Sequence, residues 1–286
     1  MAYPSNSNTD TNSELYSNLV TAAQFAAYEN SVARQMATIF DAPANSGKVL
    51  QVPVWSAITA ENITDEAAAT LLETNTTSAT ITLTEHVVYH QITDMLRDSA
   101  QSNVINQLGD QSGRAIAESM DTQFFSEFAN LNTKAGTSDF FTDTFNVDVI
   151  MDTVAQLRAS KLTGPFYAVL HPQAANILKK SITDSSSYTA STQLGNSILG
   201  NYFVAQIAGC TIIESSLVPG AAGNVKTCSV FTPSALGHAM RGSVSLETDR
   251  NTPARATDLV MTGVAGASVL QAAHGLNFTV DIDSTA

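Results

Sequence analysis

The sequence predicts an α+β fold, on three observations. Residues 11–40 and 93–131 repeat apolar side chains every three or four positions, as one face of a helix does. Residues 48–55 and 79–91 alternate apolar and polar side chains or are rich in Thr and Val, which is typical of strands. From Asn146 onward short helical and extended patterns follow one another, and the chain ends in strands. Helices and sheets of this kind must pack in layers around a shared core.

The composition favours a protein that associates with other copies of itself. A chain of 286 residues can bury a sizeable core. Hydrophobic residues make up 44% and charged residues only 14%, which is few for a soluble monomer that must cover itself with solvated side chains. Wide, uncharged contact surfaces would account for this composition, and we therefore expect self-association.

The charge of the chain argues against sequence-specific recognition of nucleic acid. Lys and Arg number 13 against 26 Asp and Glu, which gives a formal net charge of -13, and no basic run occurs. A DNA- or RNA-binding protein usually clusters cations that neutralise phosphates. The sequence therefore predicts no such binding.

Neither a disulfide framework nor a membrane segment is predicted. Cys210 and Cys228 lack the spacing of a metal or redox motif, and we interpret both as small buried hydrophobes. Residues 1–14 lack the basic and apolar regions of a secretory signal and are interpreted as a flexible arm. No window approaches the roughly 20 apolar residues that a spanning helix needs, so we expect no membrane contact.

The first predicted helix follows the polar arm. Thr11 to Glu14 matches a capping box, in which two side chains satisfy free backbone N–H groups at a helix start. Apolar residues then keep a spacing of three to four up to the break at Asp41-Ala42-Pro43. They are Leu15, Leu19, Ala22, Ala26, Ala33, Met36 and Phe40.

Two strand patterns predict a long hairpin. Lys48 to Trp55 alternates apolar and polar residues, and Ala79 to Gln91 is rich in Thr and Val. Residues 56–78 between them are too polar to form a core of their own. A loop of this length is usually functional or disordered, so we expect it to protrude from the protein.

One long amphipathic helix is predicted next, capped by Thr93. Its apolar face is Leu96, Ala100, Val104, Leu108, Ile116, Met120, Phe124, Phe128 and Leu131. Roughly 38 residues would span about 57 Å, far more than an average helix. Gly109 and Gly113 lie inside it and are candidate positions for a bend.

The second half of the chain predicts an α/β layer followed by more sheet. A helix through Val149 to Leu157 ends before Gly164-Pro165, the strand Phe166 to Leu170 follows, and His171-Pro172 begins a short helix that carries Lys179-Lys180 near its end. Ser181 to Gly200 is predicted to be loop. Further elements are strands at Ile207–Pro219, Val225–Phe231, Gly242–Glu247, Leu259–Thr262 and Leu276–Asp281, and a helical turn at Pro233–Met240.

A search for catalytic, cofactor-binding and metal-binding residues finds none. The five histidines are His86, His90, His171, His238 and His274. His86 and His90 are the nearest pair, but on a strand they lie about 13 Å apart and cannot bind one ion. The stretches ANSGKV, GNSILG and GVAGAS depart from phosphate-binding, nucleophile-elbow and dinucleotide motifs, so we interpret each as a turn. Asp281 and Asp283 are interpreted as a solvated edge.

The order of the predicted elements resembles the major capsid proteins of tailed bacteriophages, which share the Hong Kong 97-type fold. Two stretches carry the local resemblance, YAVLHPQAANIL at Tyr167–Leu178 and IAGCTIIESSLVP at Ile207–Pro219. The resemblance implies an N-terminal arm, an extended β-hairpin loop, a peripheral domain with a long spine helix, and an α/β axial domain. The corresponding ranges are 1–47 for the arm and its helix, 48–92 for the loop, 93–144 for the peripheral domain, 145–240 for the axial domain and 241–286 for the return to the peripheral domain.

The function implied by the resemblance is structural, not enzymatic. Copies would assemble as pentamers and hexamers into an icosahedral shell, with scaffolding, portal and decoration proteins as further partners. The shell would enclose double-stranded DNA without sequence-specific binding, lie in the virion and assemble in the host cytoplasm. Two alternatives remain open: the shell of a bacterial nanocompartment, and a soluble hydrolase or ligand-binding protein in which the long loop is a lid.

The resemblance also implies particular contacts between subunits. The hairpin is expected to lie over a neighbouring copy, residues 1 to about 12 to order only against one, and Phe124 and Phe128 to anchor the long helix on the peripheral sheet. Some members of the family link a Lys of the loop covalently to a neighbour. Here no Lys occurs from Val49 to Leu96, and Lys48 is at the foot of the hairpin. We therefore expect a shell held without covalent links, with contacts from cations such as Arg34, Arg97 or Arg114.

Overall fold

Two β-sheets connected by a long helix organise the protein in the computed structural model, and the α+β prediction is confirmed. The structure describes residues 21–282 except 22, 25–30, 44–45, 56–57, 59, 64–70, 72–75, 100–101, 136–138, 141–144, 185–205 and 221–222. The predicted capping box at Thr11 to Glu14 and the stretch GNSILG lie outside these residues.

The helices and strands have the following bounds. The α-helices are α1 (Ala33–Met36), α2 (Asp94–Ser99), α3 (Ser102–Ser126), α4 (Val147–Ala159) and α5 (Pro172–Asp184). The strands are β1 (Thr38–Asp41), β2 (Val49–Trp55), β3 (Thr76–Thr82), β4 (Thr84–Thr93), β5 (Asn132–Thr133), β6 (Asp139–Phe140), β7 (Phe166–Leu170), β8 (Gln206–Ile207), β9 (Cys210–Glu214), β10 (Val225–Phe231), β11 (Leu236–Asn251), β12 (Ala256–Val269) and β13 (Gly275–Asp281). Single 3-10 turns lie at Glu127–Asn130 and Ala272–His274.

The first sheet has the strand order β1-β11-β12-β4. Its centre is the long antiparallel pair β11 and β12, whose register shifts between Arg241 and Ser245. On one side β4 runs antiparallel to β12, and on the other β1 runs parallel to β11. β4 and β1 are therefore the two edges of this sheet in the described part of the chain.

The N-terminal helix was predicted to continue to Phe40, and this is wrong at its end. The helical residues stop at Met36, and β1 begins at Thr38. Thr38, Ile39 and Phe40 pair with Gly237, His238 and Ala239 at the open edge of β11. Pairing of a β-branched and aromatic run with a long strand outweighs the helical spacing, which is a weak signal over so few residues.

The long helix α3 packs on one face of the first sheet. Ile116 and Met120 contact a cluster formed by Ile92, Val244, Leu259, Met261 and Ala265. The side chain of Thr93 accepts a hydrogen bond from the Leu96 N–H at 3.3 Å, so the predicted cap is confirmed. However, α2 and α3 have separate bounds, and helix α3 ends at Ser126 instead of Leu131. Its 25 residues span about 37 Å.

Gly113 allows a close contact between α3 and the N-terminal segment, and we do not interpret it as a bend. A Cβ at this position would lie 2.2 Å from the backbone oxygen of Ala23, so the N-terminal segment touches the backbone of α3 directly. Any side chain larger than hydrogen would push the two segments apart.

The second sheet has the order β5-β13-β10-β7-β9-β8, with β6 also paired to β13. The predicted strands β7 and β10 are confirmed at their predicted bounds. Most of their side chains are buried, as in strands covered on both faces. Helices α4 and α5 contribute to the same core cluster, and α5 begins at Pro172 as predicted but continues to Asp184, into the predicted loop.

Phenylalanines join the two layers at the end of α3. Phe124 lies 6.4 Å from Phe231 of the second sheet and 6.3 Å from His238 of the first, measured between ring centroids. Phe128 lies 5.6 Å from Phe231. Both were predicted to anchor the helix on the first sheet, and both are fully buried. Phe124 and Phe128 belong to the core cluster that includes the second sheet, so they hold the two layers together. The contact of α3 with the first sheet is made by Ile116 and Met120.

The stretch IAGCTIIESSLVP forms a small hairpin and a parallel strand. Ala208 and Gly209 both have positive φ, 54° and 78°, as the two-residue turns of β-hairpins require. They reverse the chain between β8 and β9, and β9 then pairs parallel to β7. Cys210 and Cys228 are buried as predicted, and burial raises the pKa of each thiol to about 12.

Two predicted local elements are wrong. Pro233–Met240 is not a helical turn, because β11 already begins at Leu236. The stretch GVAGAS lies inside β12 and is not a turn. Its glycines allow close packing: a Cβ on Gly266 would meet the Thr82 oxygen at 2.4 Å. The last strand, β13, pairs with β10 of the second sheet, while β12 belongs to the first.

Candidate interaction surface

The β2–β3 hairpin exposes apolar side chains. Val49 to Trp55 pairs antiparallel with Thr76 to Thr82 as a separate two-stranded sheet. The side chain of Trp55 is 62% exposed, and Leu71 in the connection is 88% exposed. Other large apolar residues exposed in this region are Val49, Ile58 and Ile63. A two-stranded hairpin is marginally stable alone, so such side chains favour a partner surface.

The foot of the hairpin is attached firmly to the first sheet. Ile81 and Leu83 are buried against Ala239, and Leu50 and Val52 pack around them. The Leu83 N–H donates to the Lys48 carbonyl at 2.8 Å. The Arg241 guanidinium donates to the Gly47 carbonyl and to Ser46 Oγ. The hairpin therefore projects from a fixed base.

The second predicted leg of the hairpin, Ala79 to Gln91, is divided at Leu83. Only β3 pairs with β2, while β4 leaves the hairpin and pairs with β12 of the first sheet. The prediction of one long hairpin is thus confirmed for its outer part and wrong for residues 84–91. The reason is that β4 finds a longer partner in β12, with ten paired positions, and this pairing buries Ile92 and partly buries Val88 against α3.

The other face of β4 is open. Side chains alternate across a strand, so Val87 and Tyr89 point away from α3. They are 52% and 57% exposed, and they pair across the sheet with Thr262 and Val260. A hydrogen bond to Asp258 raises the pKa of the Tyr89 hydroxyl. At the end of this face near Thr84, Val264 packs against the foot of the hairpin.

The contacts described for the predicted cations lie within the subunit. Lys48 is exposed immediately before β2. Arg34 donates to Met240 Sδ at 3.0 Å, which is a contact within the subunit. Arg114 forms an exposed ion pair with Asp110 of the same helix, which contributes little to stability. The side chain of Arg97 lies outside the described residues.

The histidines of β4 make structural contacts. His86 Nδ1 lies 2.7 Å from Ser119 Oγ, and His90 Nε2 lies 3.0 Å from Ser112 Oγ, so both rings attach β4 to α3. Among the described residues no group of three or more His, Cys, Asp and Glu side chains could bind a metal ion. No helix in that part of the chain is long and apolar enough to cross a membrane.

Two buried polar residues near α3 were not predicted. Asp121 accepts hydrogen bonds from Ser31, Val32 and Ala33 of the N-terminal segment. His238 of β11 is 1% exposed, and neither ring nitrogen meets a hydrogen-bond partner among the described residues. Burial first, and then the charges of Arg34 and His86, lower the pKa of His238 to about 4. A single Asp or His in an amphipathic pattern gives no signal of such contacts.

Comparison with known proteins identifies the family. A family model described as phage capsid protein matches residues 76–272, which is more than half of the chain. No curated protein matches the chain in sequence.

Solved structures show the same fold at low sequence identity. A chain from Mycobacterium phage Che8 has a TM-score of 0.65 and 16% identity, covering 82% of this chain and 85% of that one. The acid-stable capsid of Helicobacter pylori bacteriophage KHP30 gives a TM-score of 0.67 and 12% identity, with 86% and 88% covered. A virus-like particle from Pyrococcus furiosus gives 0.56 and 13%, with 92% and 98% covered. The fold is therefore the Hong Kong 97 type.

Proposed function

The chain belongs to the phage capsid protein family, and we propose that it is the major capsid protein of a tailed phage. As a structural capsid protein it is not an enzyme, so the alternative of a hydrolase with a lid is not retained. Its copies assemble as pentamers and hexamers into an icosahedral shell around double-stranded DNA. Scaffolding, portal and decoration proteins take part in assembly, which occurs in the host cytoplasm before the shell becomes part of the virion.

The exposed hairpin is the observation that carries this proposal. Its foot is buried in its own subunit, but Trp55 and Leu71 are mostly exposed further out. The open face of β4 and β12 offers further apolar surface at Val87 and Tyr89. Burying such surfaces between copies, each contact modest, gives a stable closed assembly when repeated many times.

The charge of the chain suits a shell around DNA. The net charge of -13 repels phosphate, so the wall encloses the genome without adhering to it. The same charge requires that contacts between copies rely on backbone pairing, hydrogen bonds and apolar burial, because only 13 Lys and Arg are available to offset 26 acids.

We propose the five-part division 1–47, 48–92, 93–144, 145–240 and 241–286 for the arm, loop, peripheral domain, axial domain and return segment. Residues 145–240 contain most of the second sheet, which supports the axial assignment. The return segment supplies strands to both sheets, so it links the two domains.

Electron microscopy of the purified protein tests the proposal. Expressed alone and together with its neighbouring genes, the protein should form closed shells, tubes or rings visible in negative stain. A monomer by light scattering under both conditions would contradict the proposal.

A nanocompartment shell, which would use the same fold to enclose an enzyme, is a second candidate; a virus-like particle from Pyrococcus furiosus shares the fold. The two candidates share the fold and differ in contents. Nucleic acid inside native particles supports a phage capsid, whereas an enclosed enzyme and no nucleic acid support a compartment.

A further inference from the structure

A buried carboxylate attaches the N-terminal segment to the long helix. Asp121 lies in α3 and is 1% exposed. Its Oδ1 accepts the Ser31 hydroxyl at 2.8 Å and the Ala33 N–H at 3.4 Å, and its Oδ2 accepts the Val32 N–H at 2.7 Å. The two sides of this contact are about 90 residues apart in the sequence, so it is a tertiary contact.

The contact suits an ionised carboxylate. The two backbone N–H groups can only donate, and the Ser31 hydroxyl donates here as well, so a carboxylate with acceptor atoms on both oxygens matches them. Burial raises the pKa of Asp121, while the hydrogen bonds from Val32, Ser31 and Ala33 act in the opposite direction. A buried carboxylate costs free energy unless it is hydrogen-bonded, so the position is tolerated because of these donors.

The contact lies between two other attachments of the same segment. Upstream, Gln24 Nε2 donates to the Val244 carbonyl at 2.8 Å, and Ala23 lies against Gly113. Downstream, β1 pairs with β11 from Thr38 to Asp41. Asp121 thus fixes the first turn of α1, where the segment changes from one attachment to the other.

We propose that Asp121 is a positioning residue for assembly, which fixes residues 31–41 on α3 so that the N-terminal arm reaches an adjacent subunit from a defined point. This inference rests on the proposed shell function, because the arm's role is contact between copies. Without the carboxylate, the segment would keep its strand pairing and the contact of Ala23 with Gly113, but residues 31–33 would lose their hydrogen bonds to α3.

Limited trypsin digestion of the free subunit tests the structural half of the proposal. Arg34 is the single Lys or Arg in residues 1–47, so its cleavage reports on this segment alone. Asp121→Ala should be cut there at least about tenfold faster than the parent protein, equivalent to about 1.4 kcal/mol. The control Glu118→Ala, an exposed acid one turn earlier in α3, should be cut at the parent rate. Equal rates for Asp121→Ala and Glu118→Ala would overturn the proposal.

Assembly of the same variants tests the functional half. Asp121→Ala should give fewer closed particles than Glu118→Ala in negative stain. Should Asp121→Ala fail to fold, Ser31→Ala removes one donor from the other side of the contact, and it should show the same two effects at smaller size. Faster cleavage with normal particles would refute the role in assembly and leave the shell function intact. A parent protein that never assembles would refute the shell function itself, while the digestion would still decide whether Asp121 fixes the segment.

Discussion

The second sheet and the β2–β3 hairpin are built from similar residues but bury them differently. Strand β7 is FYAVL, and four of its five side chains are buried. Strand β2, VLQVPVW, has a comparable apolar content, yet Val49 and Trp55 remain exposed and none of its side chains is fully buried. Within one subunit the second sheet packs against α4, α5 and the phenylalanines, whereas the buried contacts of the hairpin among the described residues lie at its foot.

This difference separates folding from assembly. Residues of the second sheet and its junction with α3 determine whether the subunit folds, because their apolar area leaves water within the chain. On the proposed function, residues of the outer hairpin govern whether folded subunits associate, because a neighbouring copy would remove their exposed apolar area from water. Changes in the two regions should therefore have separate consequences.

The largest expected effect is on folding, at Phe124. This ring is fully buried and contacts residues of both sheets. Phe124→Ala should lower the free energy of unfolding by about 3–5 kcal/mol, measured by chemical denaturation of free subunits. The control Met151→Ala, at an exposed position of α4, should stay within about 0.5 kcal/mol. A Phe124→Ala subunit as stable as this control would show that the junction does not hold the layers together.

Stability should also fall in acid through His238, at the same junction. The pKa of this ring is lowered from 6.5 to about 4 in the folded protein, so the unfolded chain takes up the proton first as pH falls. The free energy of unfolding is therefore unaffected by His238 above about pH 6.5 and falls as the pH drops from 6.5 to 4. Below about pH 4 this ring causes no further loss. The loss is about 3 kcal/mol.

Melting over this pH range compares His238→Leu with the parent protein. The melting temperature of the variant should depend less on pH, because the variant lacks the buried imidazole whose protonation the folded protein disfavours. His90→Gln serves as the control, since its ring is hydrogen-bonded to Ser112 and partly exposed. If His238→Leu and the parent lose stability in parallel from pH 6.5 to 4, the His238 account is wrong.

Deletion of residues 60–77 should have a small effect on folding and a large one on assembly. The deleted residues include the exposed Leu71 and Ile63 but none of the buried foot around Ile81. We expect soluble protein with a melting temperature near that of the parent, and no shells by microscopy. Normal particles from this variant would mean that the hairpin is not an assembly surface.

We expect assembled particles to contain no covalent links between subunits. No Lys occurs from Val49 to Leu96, and Lys48 is at the foot of the hairpin. Boiling particles in detergent should release one band near 30.2 kDa. A ladder of multimers that resists detergent and reductant would contradict this expectation.

The sequence predicted the second sheet better than the first. Strands β7 and β10 were predicted with their bounds, because continuous apolar runs between Gly, Pro and polar residues define a buried strand. The start of β11 was missed, because Leu236 to Met240 contains small residues without alternation. Gly237 is small because Ile81, Phe40 and Leu270 pack over it, which only the tertiary structure shows.

The candidate interaction surface was predicted in outline. Polar composition and the length of the loop predicted a projecting hairpin, but nothing in the sequence indicated that β4 would leave it at Leu83. Residues 84–91 could pair with β2 or with β12, and which pairing forms depends on tertiary structure that the local sequence pattern does not show. Asp121 was missed for the same reason, because its partners Ser31 and Val32 are identified by packing and not by spacing.

The fluorescence of Trp55 reports whether a neighbouring copy covers the hairpin. It is the single Trp of the chain, it lies in the outer part of the hairpin, and it is 62% exposed in the subunit. If the hairpin is covered by a neighbouring copy, the emission maximum should move to shorter wavelength when free subunits assemble, and quenching by iodide should weaken. Assembled particles whose Trp55 emission and quenching equal those of free subunits would contradict the account.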